Sequence, residues 1–412
     1  MRKTLATLTA CALGILGAAA LVSPSPAHAQ AKPQTVSKGV AKPLKAAQEA
    51  LQKKSWQEAL AKLNEADAVA GKTPFDQFTI NEMRGFAYVR TGNYAEAARA
   101  LEAGLNSGLL DQADVSQRVK ALAQVNYQIK NYDKAIEYGN RAVKSGFADA
   151  ELYTLIGQAY YVKGDYKGTL RFMEDYVGDQ IKRGQTPKEQ SLQLVMSSCV
   201  KLDDTACTTR ALEKMVQYYP KPEYWQNIVY SLFRTPDVDD RLMLNTYRLA
   251  SDVNAIKRGE DYTEMAQLAI EQGSPGEAVA ILNKGFEKNV FTEQREKEKN
   301  QRLLDSAKKA AAADQASLAK LEADAGKAKT GAAEAGVGKA YLSYGQYDKA
   351  AAALQRGLTK GGLSNPEETQ ILLGIAQLKS GNKAEAVKNF KAIKDDSKYA
   401  RIANLWALHS QQ

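Results

Sequence analysis

The sequence predicts an all-α fold: a solenoid of helical hairpins, wound as a right-handed superhelix and closed by a C-terminal capping helix. Three observations lead there. A turn-and-helix pattern recurs along the chain, clearest as Thr91-Gly92-Asn93-Tyr94-Ala95-Glu96-Ala97 and Tyr344-Gly345-Gln346-Tyr347-Asp348-Lys349-Ala350. Twelve positions before the last alanine of each copy stands a glycine, Gly85 or Gly338, followed three positions later by Tyr88 or Tyr341. Between turns, apolar residues fall at helical spacing, as with Leu60, Leu63 and Ala66 and then Ala98, Leu101 and Leu105. One such hairpin cannot bury its apolar face alone, whereas stacked copies can.

The copies follow in order. Lys54-Ser55-Trp56 leads to Ala59, Gly92-Asn93-Tyr94 to Ala97, Asn131-Tyr132 to Ala135, and Gly164-Asp165-Tyr166 to Thr169. A weaker copy runs from Asp203-Asp204 to Cys207. Then come Gly273-Ser274-Pro275-Gly276 with Ala278, Gly345-Gln346-Tyr347 with Ala350, and Gly381-Asn382 with Ala386. Ala123, Gly157, Ala266 and Gly374 repeat the small residue twelve positions upstream, where it lets two helices approach closely. This set of spaced positions resembles the tetratricopeptide repeat, a helix–turn–helix unit of about 34 residues. The chain looks like an exported, bacterial-type periplasmic member of that family. It also departs from the pattern: most copies are longer than the usual unit, the closing proline is mostly absent, and Thr169 and Cys207 replace the alanine. The resemblance implies eight or nine hairpins and a non-catalytic scaffold whose groove binds a protein or peptide.

The N-terminus reads as a signal sequence, residues 1–29. Arg2 and Lys3 are followed by a mostly apolar run from Leu5 to Val22 and by the small-x-small site Ala27-His28-Ala29. Residues 30–42 are polar and are expected to be a flexible tether. The expected localisation is periplasmic, with no membrane span left after cleavage. The formal net charge is +9 at pH 7, and no block of five or six like charges occurs, so nucleic acid is not an expected partner. Cleavage removes Cys11 and His28, leaving His409, Cys199 and Cys207. That is too few for a zinc site or for a histidine-activated nucleophile. No phosphate-binding glycine motif is present. No catalytic residue, metal or cofactor is expected. Asp203-Asp204 and Asp239-Asp240 are paired carboxylates, read as helix caps.

The first array is expected over 43–290. Within it Tyr218, Tyr219, Tyr224, Trp225 and Tyr230 form an aromatic stretch. Seam packing between hairpins is the favoured reading and a partner-binding patch the other. Thr235-Pro236-Asp237 replaces the usual turn of this hairpin. Residues 291–331 are a charged Ala/Lys/Glu-rich helical insertion, with Leu304, Ala311, Leu318 and Ala325 every seven residues and Ala307 and Leu321 on the same side. With so little large apolar surface, this segment is expected to be dispensable for the flanking arrays. Two repeats and the capping helix fill 332–412, with Trp406 in the cap. Cys199 and Cys207 flank a hairpin turn and are expected to form a disulfide in an oxidising compartment. The alternative to a protein-binding adaptor of a cell-envelope assembly or transport machine is a peptidoglycan- or glycan-associated binding protein.

Overall fold

The computed structural model describes residues 35–233 and 238–412. The expected signal sequence, the first residues of the tether and the Thr235-Pro236-Asp237 turn lie outside them. Among the described residues all regular structure is helical, in twenty helices. The chain divides into two compact units, Met1–Val115 and Ser116–Gln412.

The first unit holds α1 (Lys38–Gln52), α2 (Trp56–Asp67), α3 (Pro74–Thr91) and α4 (Tyr94–Asn106). Val40, Leu44, Leu63, Ala66 and Ile80 form its core. Helix therefore begins inside the expected tether: Val40 is fully buried, so 38–42 are ordered by packing. One buried carboxylate ties α1 to α3. Asp76 accepts the N–H of Thr73 at 2.8 Å and the N–H of Ser37 at 2.8 Å, while its own N–H donates to Thr73 Oγ1 at 3.1 Å. This capping box satisfies N–H groups that a helix start leaves free.

Helix α5 (Gln112–Gln128) crosses the division. The second unit continues with α6 (Tyr132–Lys144), α7 (Ala150–Lys163), α8 (Tyr166–Lys182), α9 (Glu189–Lys201), α10 (Thr205–Tyr218), α11 (Pro222–Phe233) and α12 (Asp240–Asp252). Then follow α13 (Gly259–Glu271), α14 (Pro275–Glu287), α15 (Gln294–Lys327), α16 (Ala332–Ser343), α17 (Tyr347–Lys360), α18 (Pro366–Lys379), α19 (Lys383–Lys391) and α20 (Ala400–Ser410).

The sequence motif has a backbone cause. In eight hairpins the residue two before the second helix is left-handed: Lys54, Gly92, Lys130, Gly164, Asp203, Gly273, Gly345 and Gly381. Glycine holds this conformation without the Cβ penalty. The turn keeps the same form where Lys54, Lys130 and Asp203 stand there, with φ of 59°, 61° and 56°. The next residue caps the helix. Asn93, Asn131, Asp165 and Asp204 each accept a backbone N–H three residues on. Asp239 caps α12 in the same way, through Leu242 N–H at 2.9 Å.

The small residue upstream also has a cause. A Cβ on Gly157 would lie 2.3 Å from Met173 Sδ, one on Gly338 2.5 Å from Leu354 Cγ, and one on Gly374 2.6 Å from a ring carbon of Phe390. In each case the obstructing residue belongs to the second helix of the same hairpin, so the helices meet closer than a side chain allows.

The second unit closes on itself. Helix α20 packs against α10, α12 and α18 as well as its neighbour α19. Arg241 reaches Glu368 at 2.9 Å, Lys398 reaches Asp239 at 2.5 Å, Arg401 donates to Ser231 Oγ at 2.6 Å, and Gln412 donates to the Val216 carbonyl at 2.7 Å. Lys379 pairs with Asp252. Consequently α12 is buried around its circumference, with residues 244–250 all inside. The expected cap at a free end is therefore a clasp. The C-terminal repeats and the array before them share one core, rather than forming segments divided at 290 and 332.

The charged segment is one helix, α15, of 34 residues, packed on α14 and α16. Leu304, Ala307, Leu318 and Ala325 are in the shared core, but Leu321 is 47% exposed. Polar ties run along its length. Asn300 accepts from Thr263 Oγ1 at 2.9 Å, Asp314 from the Tyr344 hydroxyl at 2.6 Å, Glu322 from the Tyr341 hydroxyl at 2.5 Å, and the Ala325 carbonyl from Lys360 Nζ at 2.9 Å. The helix is thus bound to both flanks. Its alanines succeed where larger apolar residues were expected to be needed, because they allow close approach.

Candidate functional site

Cys199 on α9 and Cys207 on α10 are disulfide-bonded, with Cα atoms 5.5 Å apart. Both are buried beside Met173, Val195 and Ala211. The Asp204 cap accepts the Cys207 N–H at 2.9 Å and so fixes the start of α10 where the bond forms. The bond is a fastener within one hairpin.

The aromatic stretch lies across the seam between α9 and α11. Trp225 is 2% exposed and meets the His409 ring edge-on at 5.8 Å, so it joins α11 to the clasp helix α20. Tyr224 is buried; its hydroxyl donates to Glu189 and accepts from Gln193 at 2.9 Å. Lys221 reaches the same carboxylate at 2.6 Å, and that lysine together with the Tyr224 hydroxyl holds Glu189 below the usual carboxylate range. Tyr219 donates to the Pro187 carbonyl at 2.8 Å. Tyr218 is half-buried against the core, and Tyr230 lies half-buried under the Arg258 guanidinium at 5.7 Å. Trp225 and Tyr224 have no face left for a partner, because inter-hairpin packing and hydrogen bonds use them.

Closure of the second unit gathers a charged wall that the motif search did not single out. Arg241, Asn245 and Arg248 lie at positions i, i+4 and i+7 of α12, one stripe of the helix. Arg248 binds Glu277 of α14 through two parallel hydrogen bonds, 2.8 and 2.7 Å, and also donates to Asn245 at 3.0 Å. Such forked pairs fix geometry as well as charge. Glu368 of α18 is 6% exposed and takes Arg241. Lys339 of α16 faces the same groups without an ion pair to any described residue; burial pushes its ammonium down, the two arginines acting against Glu368 and Glu277. The only sequence signal was the spacing of Arg241 and Arg248 on one stripe of the helix.

Asp252, at the end of α12, accepts from Lys379 and lies 2.9 Å from His409 Nε2. Burial alone would raise its carboxyl, but His409 and Lys379 together hold it below its ordinary value. The arrangement is not a catalytic triad, because the other ring nitrogen, His409 Nδ1, is buried without a hydrogen-bond partner. A general base needs its nucleophile there. Among the described residues no group of three or more His, Cys, Asp or Glu could hold a metal ion, and no helix is long and apolar enough to cross a membrane.

Between α12, α14, α15, α18 and α20 lies a cavity of about 690 Å³. Met265, Ile281, Ile375 and Trp406 give it an apolar lining, and Arg248, Asp252, Glu277, Lys308 and Lys379 supply charge.

A tetratricopeptide-repeat family model matches residues 83–151 and 337–401. The chain carries tetratricopeptide repeats in these two stretches. The two matched stretches contain the two clearest copies of the turn motif, in separate units. Tetratricopeptide repeats in general form non-catalytic scaffolds for protein–protein interaction. Among solved structures, the fold is similar to a tetratricopeptide repeat protein from Parabacteroides merdae, at 10% identity over 82% of this chain and 99% of that one, TM-score 0.30. It is also similar to the C-terminal part of a repeat-containing protein from Cytophaga hutchinsonii, at 15% identity over 63% and 93%, TM-score 0.37. A third is YrrB, a protein of this family with an unusual peptide-binding site, at 17% identity over 45% and 89%, TM-score 0.34. With TM-scores below 0.5, these likenesses decide nothing about this repeat protein's partner. No protein of curated function matches the chain.

Proposed function

We propose that this tetratricopeptide-repeat protein is an exported, non-catalytic adaptor. It binds a protein partner through the charged wall of residues 116–412 and serves a cell-envelope assembly or transport machine from the periplasm. The observation that carries the reading is the convergence from four helices of the half-buried Arg241, Glu277 and Lys339, held in place by the buried Arg248 and Glu368. Side chains fixed in this way offer a preformed pattern of charge, which sets specificity at a protein interface. Nothing in the wall has the geometry of a nucleophile with its base. The Arg2-Lys3 start and the Ala27-His28-Ala29 site support export. Of the half-buried aromatic rings, Tyr153 stacks on Tyr176 at 4.1 Å, so these rings cover each other and are poor platforms for a sugar.

The test is site-specific photocrosslinking in intact cells, with the reactive residue at position 339 or, as the outward control, at Val200, which is 55% exposed. The expected result is one discrete adduct from position 339, carried by protein recovered from the periplasm with its N-terminus near Gln30. Adducts of equal yield from both positions, or full-length protein retained in the membrane, overturn the proposal.

A further inference from the structure

The helix that closes the second unit is held less well than the helices it closes on. Helix α20 packs on α10, α12 and α18 and buries Ile402, Ala403, Leu405, Trp406, Ala407 and Ser410. Yet four polar atoms of residues 399–409 are buried without a hydrogen-bond partner among the described residues. They are the Tyr399 hydroxyl, Arg401 Nε, the Trp406 indole nitrogen and His409 Nδ1. Such groups are rare in native interiors, and each loses its hydration on docking without a protein bond in return. The facing helix is satisfied by contrast. In α12, Asn245 donates to the Arg241 carbonyl and Thr246 to the Leu242 carbonyl, both at 2.9 Å, and Arg248 and Asp252 are ion-paired.

The polar ties of this last helix do not offset the deficit. Lys398 and Asp239 pair at its start with side chains 50% and 43% exposed, and exposed pairs contribute little. Arg401 donates to Ser231 at 2.6 Å, but burial, opposed by Glu213, pushes its guanidinium below its ordinary value, so docking desolvates a cation. The connection from α19 contains no α-helix and carries the exposed Lys394, Asp395 and Asp396. What holds α20 is an apolar row: Ile402, Leu405, Trp406 and His409 stand at i, i+3, i+4 and i+7, the pattern by which an amphipathic helix lies in a groove. His409 covers Trp225 of α11, with ring centroids 5.8 Å apart.

We infer that α20 is an autoinhibitory strap. It opens while the rest of the second unit stays folded, and the face it leaves, which includes Trp225, accepts a partner's amphipathic helix of the same apolar spacing. Its 11 residues are too few to stay helical alone, so release also unfolds the strap. The inference goes beyond the adaptor reading and does not use the charged wall.

Hydrogen exchange of the intact protein, read by mass spectrometry, tests the opening. Amides of residues 402–410 are expected to exchange at least about tenfold faster than those of α12 and α18, which they touch. Tyr399→Phe keeps the ring and removes the unmet hydroxyl, so it is expected to slow exchange of 402–410 at least about fivefold. Ile402→Ala trims a buried anchor and is expected to speed that exchange at least about tenfold, with α13 and α14 unchanged. A labelled peptide of residues 397–412 tests the docking by fluorescence anisotropy. It is expected to bind the Ile402→Ala protein at least about tenfold more tightly than the wild type, whose own strap competes in cis. Exchange of 402–410 at the rate of α12, or faster exchange in Tyr399→Phe, overturns the strap. So does faster exchange of α13 and α14 together with 402–410 in Ile402→Ala. Equal binding of the peptide to both proteins, or binding to neither, overturns the autoinhibition.

Discussion

Two glycines in neighbouring repeats should respond to the same substitution with opposite signs. Gly374→Ala places a methyl 2.6, 2.7 and 2.9 Å from three ring carbons of Phe390. That ring is fully buried and stacks on Trp406, with centroids 5.9 Å apart and 14° between planes, so it cannot swing aside. Overpacking of this kind costs about 1–3 kcal/mol. Replacing a helical glycine by alanine returns about 1 kcal/mol of propensity. The net expectation is a loss of up to about 2 kcal/mol. Gly336, also in a helix, has nothing within 4 Å of a built Cβ, so Gly336→Ala keeps the whole gain of about 1 kcal/mol. Urea unfolding followed by tryptophan fluorescence reads both, since Trp225 and Trp406 are buried in this unit. The midpoint should fall for Gly374→Ala and rise for Gly336→Ala, at unchanged slope. If Gly374→Ala stabilises as much as Gly336→Ala, the close helix approach is wrong, and with it the reason for the small residue in the repeat.

Three further outcomes are expected. Asp76 is buried, which alone would raise its carboxyl, but hydrogen bonds from Thr73 and Ser37 hold it below its ordinary value. Its stabilisation is therefore full above the unfolded value, near 4, and is lost as pH falls through the folded value. Asp76→Asn should destabilise the first unit by about 1–3 kcal/mol at pH 7, with the difference from wild type vanishing in acid; a constant difference would show that the charge is not the cause. Reducing Cys199–Cys207 should cost about 2–3 kcal/mol by freeing a short loop in the unfolded chain, and two alkylatable thiols in protein prepared without reductant would contradict the bond. Deleting residues 294–327 should yield aggregates on size exclusion, because Leu304, Ala307, Leu318 and Ala325 leave the core with it; a soluble helical product would show that α15 is peripheral.

The repeats were legible because their causes are local. A left-handed residue, a cap and a small residue at fixed spacing are all written within one hairpin, and Asp204 and Asp239 were recognisable as caps from position alone. Departures such as Lys54 and Lys130 did not disturb the reading, since the turn tolerates a non-glycine there. The closure was not legible. Arg241–Glu368 and Lys398–Asp239 join residues 127 and 159 apart, and nothing in either local sequence names the other. The charged wall includes one of those pairings and the cavity is lined by residues as far apart as Arg248 and Trp406, so both were missed with it. Leu321 was expected beside Ala307, but it is 47% exposed while Leu318 and Ala325 of the seven-residue stripe are buried. Residues 38–42, expected within the tether, are helical because α1 is ordered by packing and not by its own composition.

The candidate wall and the cavity both depend on the second unit closing on itself, and a zero-length carbodiimide crosslink reads that directly. The reagent couples a lysine to a carboxylate only where the two already touch. Mass spectrometry of the digested monomer should find Lys398 joined to Asp239 and Lys379 joined to Asp252. Lys62–Glu65, one helical turn apart, serves as the internal control. Recovery of the control crosslink with neither long-range one would contradict the closed unit.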